Sequence, residues 1–187
     1  MKPTILTSST MSWIRVLNLF SLLLLSGSCL VSNGAESTFA DAVEKQDKET
    51  IRRLLARQFD VNTPQADGMT ALHWAVYLAD LQTTEAIVRA GAIVDCENRY
   101  GVTPLSVACE NGNSKIVELL LEHGANANAT LFGGETVLMT AARTGRIGAV
   151  RALLAKGAKV NARERKEQTA LMWAAAEGHL AVVDVLL

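Results

Sequence analysis

Aromatic residues make up only 5% of the chain, prolines and cysteines number three each, and no stretch is dominated by charge of one sign. Each shortage excludes something. A core poor in Phe, Trp and Tyr must be built from Ala, Leu and Val, which suits closely packed helices better than sheets, where β-branched and aromatic residues prevail. With 18 basic against 19 acidic residues and no basic tract, nucleic acid is excluded as a bulk electrostatic partner. The cysteines form no Cys-x-x-Cys pair and no disulfide framework. Cys96 and Cys109 read as free thiols, Cys109 as a small core residue, with a bridge between them left open. The motifs HExxH, GxSxG, GxxxxGK[ST] and GxGxxG are all missing, so no catalytic site and no cofactor are expected.

The first segment differs from the rest. Residues 1–35 carry Lys2 and Arg15 and no acid, then the apolar run Val16–Leu25, then small residues through Gly34 and Ala35. This is the pattern of a secretory signal peptide, and the run is short for a membrane span. Export to a periplasmic or extracellular space is the expectation, with release near Gly34–Ala35. Retention as an N-terminal anchor, or lipidation at Cys29, is the alternative, and only then is a membrane a partner.

The remainder of the chain is periodic. Thr70, Thr103, Thr136 and Thr169 stand 33 residues apart, and each opens a similar string: Thr70-Ala-Leu-His-Trp-Ala, Thr103-Pro-Leu-Ser-Val-Ala, Thr136-Val-Leu-Met-Thr-Ala and Thr169-Ala-Leu-Met-Trp-Ala. Gly91, Gly124 and Gly157 keep the same period, as do Gly112, Gly145 and Gly178. Each unit has a physical reading. Thr103 caps a helix and Pro104 fits its first turn. Gly112 turns the chain. A second helix carries Ile116, Val117, Leu120 and Leu121, and Gly124 closes it as a left-handed cap. An extended loop leads to the next Thr.

These strings resemble the ankyrin repeat, whose signature is Thr-Pro-Leu-His-x-Ala on a 33-residue period. The resemblance implies an all-α ankyrin-repeat solenoid of helix-turn-helix units joined by β-hairpin-like loops. It also implies a division into a degenerate N-capping repeat at 36–69, repeats at 70–102, 103–135 and 136–168, and a truncated repeat at 169–187. The first is charged on its outer side, as an end cap requires. The last stops within an apolar helix at Val185-Leu186-Leu187, so further sequence is expected after it. Gln65, Asn98, Leu131 and Glu164 stand where the family has a turn Asp, and Glu167 where it has a Gly. Asn128-Ala129-Thr130 is a glycosylation sequon, but Asn128 also matches the structural Asn of the repeat (Asn62, Asn161). His73 is the motif His that ties loop backbone. His123 and His179 fall in other repeats, so a shared metal site is not expected.

Function is read from position in the unit. The resemblance implies a concave face made of loop tips and first helices. Five of the seven aromatics after residue 35 fall there: Trp74, Tyr77, Tyr100, Phe132 and Trp173. Met69 and Thr140 are also assigned to this surface. Aromatics and Arg are the usual interface anchors. The expected partner-binding groove holds Trp74, Tyr77, Tyr100 and Phe132, edged by Arg99, Arg143 and Arg165, with Glu110, Lys166 and Trp173 alongside. For the two Trp residues, packing between neighbouring first helices is an equal alternative. The expected function is a non-enzymatic scaffold for another protein. The alternative is a regulatory region of a longer enzyme.

Overall fold

A computed structural model describes residues 38–187. The expected leader and Cys29 lie outside them. Among the described residues there are ten helices: α1 (Phe39–Glu44), α2 (Lys48–Ala56), α3 (Ala71–Tyr77), α4 (Leu81–Arg89), α5 (Pro104–Asn111), α6 (Ser114–Glu122), α7 (Val137–Arg143), α8 (Ile147–Ala155), α9 (Ala170–Ala176) and α10 (Leu180–Leu186). No strand accompanies them among these residues, only one isolated antiparallel bridge, Thr130–Thr136. This is the all-α repeat stack that the period implies.

Local chemistry sets each boundary. Thr103 Oγ1 accepts from the Ser106 amide (3.1 Å) and Ser106 Oγ accepts from the Thr103 amide (3.0 Å), closing a capping box at the start of α5. Thr136 and Thr169 accept likewise from Met139 and Met172. The degenerate first repeat has its own box, Thr38 with Asp41, a cap that the 33-residue register passes over by one residue. Second helices begin on Asp47, Asp80 and Asn113, whose side chains accept from the amides of Thr50, Thr83 and Ile116. Between the helices of a pair the chain takes a left-handed step: Gly112 has φ +66°, and Ala79 holds the same step at +55° despite its Cβ.

First helices α1, α3, α5, α7 and α9 pack on one another in succession, and α4, α6, α8 and α10 do the same behind them. The seam between the rows is filled by register-equivalent side chains: Leu72, Leu105 and Leu138 from the first helices, and Ile87, Leu120 and Leu153 from the second. All six are buried. Met172, Leu180 and Leu187 of the last repeat are exposed, whereas Met139, the register mate of Met172, is fully buried.

The loops are bracketed by the structural Asn. Asn62 donates from Nδ2 to the Gly91 carbonyl (3.1 Å) and accepts from the Ile93 amide (2.8 Å). Asn128 does the same to Gly157 and Lys159 (3.1 and 2.9 Å), so its amide serves the loop bracket. The residue in this register between them is Asp95. Its carboxylate accepts from the Asn126 amide (2.9 Å) but, unlike the Asn side chain, has no N–H to donate. Asp95→Asn supplies the missing donor and is expected to raise the free energy of unfolding by about 0.5–1.5 kcal/mol in urea titration. A decrease would show that the bracket does not contribute there.

Candidate functional site

The expected anchors divide into three groups. At the N-terminal end, Trp74 and Tyr77 of α3 meet edge to face at 5.8 Å. Trp74 Nε1 donates to Gln65 Oε1 (2.6 Å), while Gln65 Nε2 donates to Asp41 (2.6 Å) and Glu44 (2.8 Å). The bond from Gln65 leads in holding the Asp41 carboxyl below its ordinary range, against partial burial and with help from Thr38. In the sequence Gln65 stands out only as a substitute for the turn Asp. Its role as the link from Trp74 to the first repeat has no sequence signal beyond its place nine residues before Trp74.

Toward the other end, Arg143 of α7 pairs with Glu110 of α5, one period away, and lies over the Trp173 ring of α9 at 5.8 Å. The arrangement therefore links three successive first helices. Both side chains are mostly covered, and the pair ties successive repeats together. Trp173 Nε1 is buried without a partner. Glu135 sits beside these residues, accepting from Thr140 Oγ1 (2.9 Å). Burial pushes its carboxyl above the ordinary range, more than Thr140 and Arg143 lower it, and Glu110 and Glu164 add to the rise.

The third group is on the loops. Tyr100 is 51% exposed and Phe132 76%. The Arg165 guanidinium stands over the Phe132 ring at 5.2 Å. Arg99 and Lys166 are exposed beside them. Two positions assigned to the surface are corrected: Met69 and Thr140 are buried. Asn98 Nδ2 reaches Met69 Sδ (3.4 Å), so the neighbouring loop covers that side chain. Thr140 bonds inward to Glu135 and to the Thr136 carbonyl.

The three histidines address three different carbonyls. His73 Nε2 lies 2.9 Å from Val102 O, His123 Nδ1 2.9 Å from Leu119 O, and His179 Nε2 2.9 Å from Arg143 O. Cys109 is fully buried, and desolvation pushes its thiol well above the ordinary range. Cys96 is half-buried, and both thiols are free.

A family model described as ankyrin repeats (3 copies) matches residues 39–131 and 126–187. Protein phosphatase 1 regulatory subunit 27 of Mus musculus is 33% identical over 75 residues, covering 40% of this chain and 49% of its own length. The Notch-regulated ankyrin repeat-containing protein of Homo sapiens is 32% identical over 79 residues, 40% of this chain and 69% of its own length. Potassium channel AKT1 of Oryza sativa subsp. indica is 36% identical over 72 residues, 38% of this chain and 8% of its own. The chain thus spans about half the length of the phosphatase regulatory subunit it matches.

Proposed function

Since the chain belongs to the ankyrin-repeat family, we propose that it is a non-catalytic module holding a partner protein against its loop tips and first-helix face, the concave side expected of such a stack. The carrying observation is the exposure of Tyr100 and Phe132 on successive loops, with Arg165 over the second ring. A large apolar ring held in water is retained where something covers it. Trp74, Tyr77 and Trp173 are half-buried and engaged within the stack, so they contribute framing more than contact.

The test is direct. Tyr100→Ala and Phe132→Ala each leave the melting curve in place and weaken binding to a partner captured by the full chain by more than about 1 kcal/mol, roughly five-fold. Unchanged affinity in both removes the site.

A second reading draws on the rice channel only in that its matched repeats are a small part of a longer chain. Here the same face serves as the docking or regulatory region of a longer enzyme. The full reading frame separates the two: more repeats favour the scaffold, a motif-bearing domain the enzyme. We also propose export, supported by the residue pattern of 1–35 alone. N-terminal sequencing of the mature protein should begin near Ala35, and a chain retaining Met1 would count against cleavage.

A further inference from the structure

Four loops run along the stack: A (57–69), B (90–102), C (123–135) and D (156–168). At the A–B seam, besides the Asn98–Met69 contact, three bonds join neighbouring loops. Two are the Asn62 bracket, and the third runs from the Arg99 amide to the Asp67 carbonyl at the tips (3.0 Å). The C–D seam repeats all three, with the Asn128 bracket and Arg165 N to Gly133 O (3.3 Å). The B–C seam keeps one, Asn126 N to Asp95. Its tip bond would run from Phe132 N to Tyr100 O. Among the described residues neither atom has a hydrogen-bond partner.

A second observation, independent of hydrogen bonding, locates the same opening. A Cβ placed on Gly68 of loop A would stand 3.0 Å from loop B backbone, and one on Gly134 of loop C 3.6 Å from loop D. On Gly101, their register mate in loop B, it would meet nothing within 4 Å. The tips of B and C are apart where the other two pairs are closed.

The sequence explains why. Asn98 brackets its own tip by accepting from Tyr100 N and Val102 N (2.9 and 3.0 Å), and Glu164 does so for loop D at Lys166 and Gln168. Leu131 in loop C has no side-chain acceptor, and Gly133 and Gly134 come after it with φ +117° and +84°. Ser106, in the register of His73, bonds back to the Thr103 carbonyl, but Met139 holds that register before the closed C–D seam, so the tip residues of loop C carry the difference.

We propose that the open B–C seam is a docking slot for an extended segment of the partner protein. That segment adds its backbone between Tyr100 O and the Phe132 amide, with a large apolar side chain set against the Tyr100 and Phe132 rings. Strand addition supplies affinity through main-chain bonds and specificity through side-chain pockets. Arg99 and Arg165 flank the slot, so an acidic residue is favoured beside the apolar one. This rests on the reading of the chain as an interaction module, and it names the form of what is bound.

The probe is a displayed library of random linear peptides selected on the full chain. Enriched peptides should pair a large apolar residue with Asp or Glu. Binding should slow exchange of the Phe132 amide, and N-methylation of the peptide backbone at the docked residues should weaken it by about ten-fold with every side chain kept. No enrichment, binding without protection of Phe132, or indifference to N-methylation overturns the slot. If the captured partner still depends on Tyr100 and Phe132 in such a case, the module reading stands and only the slot falls.

Discussion

Leu120→Ala lowers the free energy of unfolding by roughly 2–5 kcal/mol, measured in urea titration with each variant fitted to its own midpoint and slope. The side chain is fully buried at the middle of the stack, on α6, which packs against α4 before it and α8 after it. Truncation removes apolar surface from three repeats at once. Short helices pinned by side-chain caps at one end and left-handed turns at the other have little freedom to collapse into the space. In a one-dimensional stack each repeat is stable only through its neighbours, so a loss at the centre weakens two interfaces. We therefore expect the slope of the transition to fall as well, as the halves on either side begin to unfold separately. The matched control is Leu180→Ala on α10, where the side chain is 76% exposed and the change should stay within about 0.5 kcal/mol. A loss below 1 kcal/mol at Leu120 would mean that the seam between the helix rows is not tightly packed.

The contrast between these two leucines marks how far periodicity reaches. Leu120 and Leu180 both lie in apolar second helices. Only the period separates them, because it aligns Leu120 with Ile87 and Leu153 and aligns Leu180 with Ile147. The period therefore gave the core, the turns and the caps at each Thr. It misplaced Met69 and Thr140 because it says which positions recur, not what covers them. The neighbour over Met69 is Asn98, on the next loop along the stack. Likewise the place of Arg143 in the unit set it at the edge of the expected groove, but its pairing with Glu110 and its stacking on Trp173 depend on side-chain reach across repeats. The gap between loops B and C was the least legible of all. Its cause, Leu131 at the turn position, is visible as a departure from the pattern, yet a departure does not by itself say whether backbone opens or merely exchanges one bond for another.

His73 joins this architecture to pH. The ring is fully buried, with Nδ1 3.2 Å from the Thr70 amide and Nε2 2.9 Å from the Val102 carbonyl. An amide can only donate, so Nδ1 is the acceptor and Nε2 carries the proton. Protonating Nδ1 would set one donor against another in a site already stripped of water. Burial accordingly lowers the ring's affinity for a proton, while the Val102 bond and the Asp67 charge pull more weakly the other way. The unfolded chain takes up that proton near pH 6.5 and the folded one resists, so this stability is fully present above about pH 6.5 and is lost as pH falls below it, by at most about 1.4 kcal/mol per unit. Glu135 acts with the opposite sign, since its raised carboxyl is more readily protonated when folded. Asp41, held low, acts only in the more acidic range. Between pH 7 and pH 5 the two groups therefore pull in opposite directions, and His73→Gln, which keeps an N–H for Val102 but does not titrate, should remove the part of the slope that destabilises the fold on acidification. His73→Ala is expected to cost about 2–4 kcal/mol at neutral pH, the sum of an unpaired buried carbonyl and a cavity. If His73→Gln kept the wild-type slope, the acid sensitivity would belong to other groups and the tie between α3 and loop B would not be the place where protonation enters the fold.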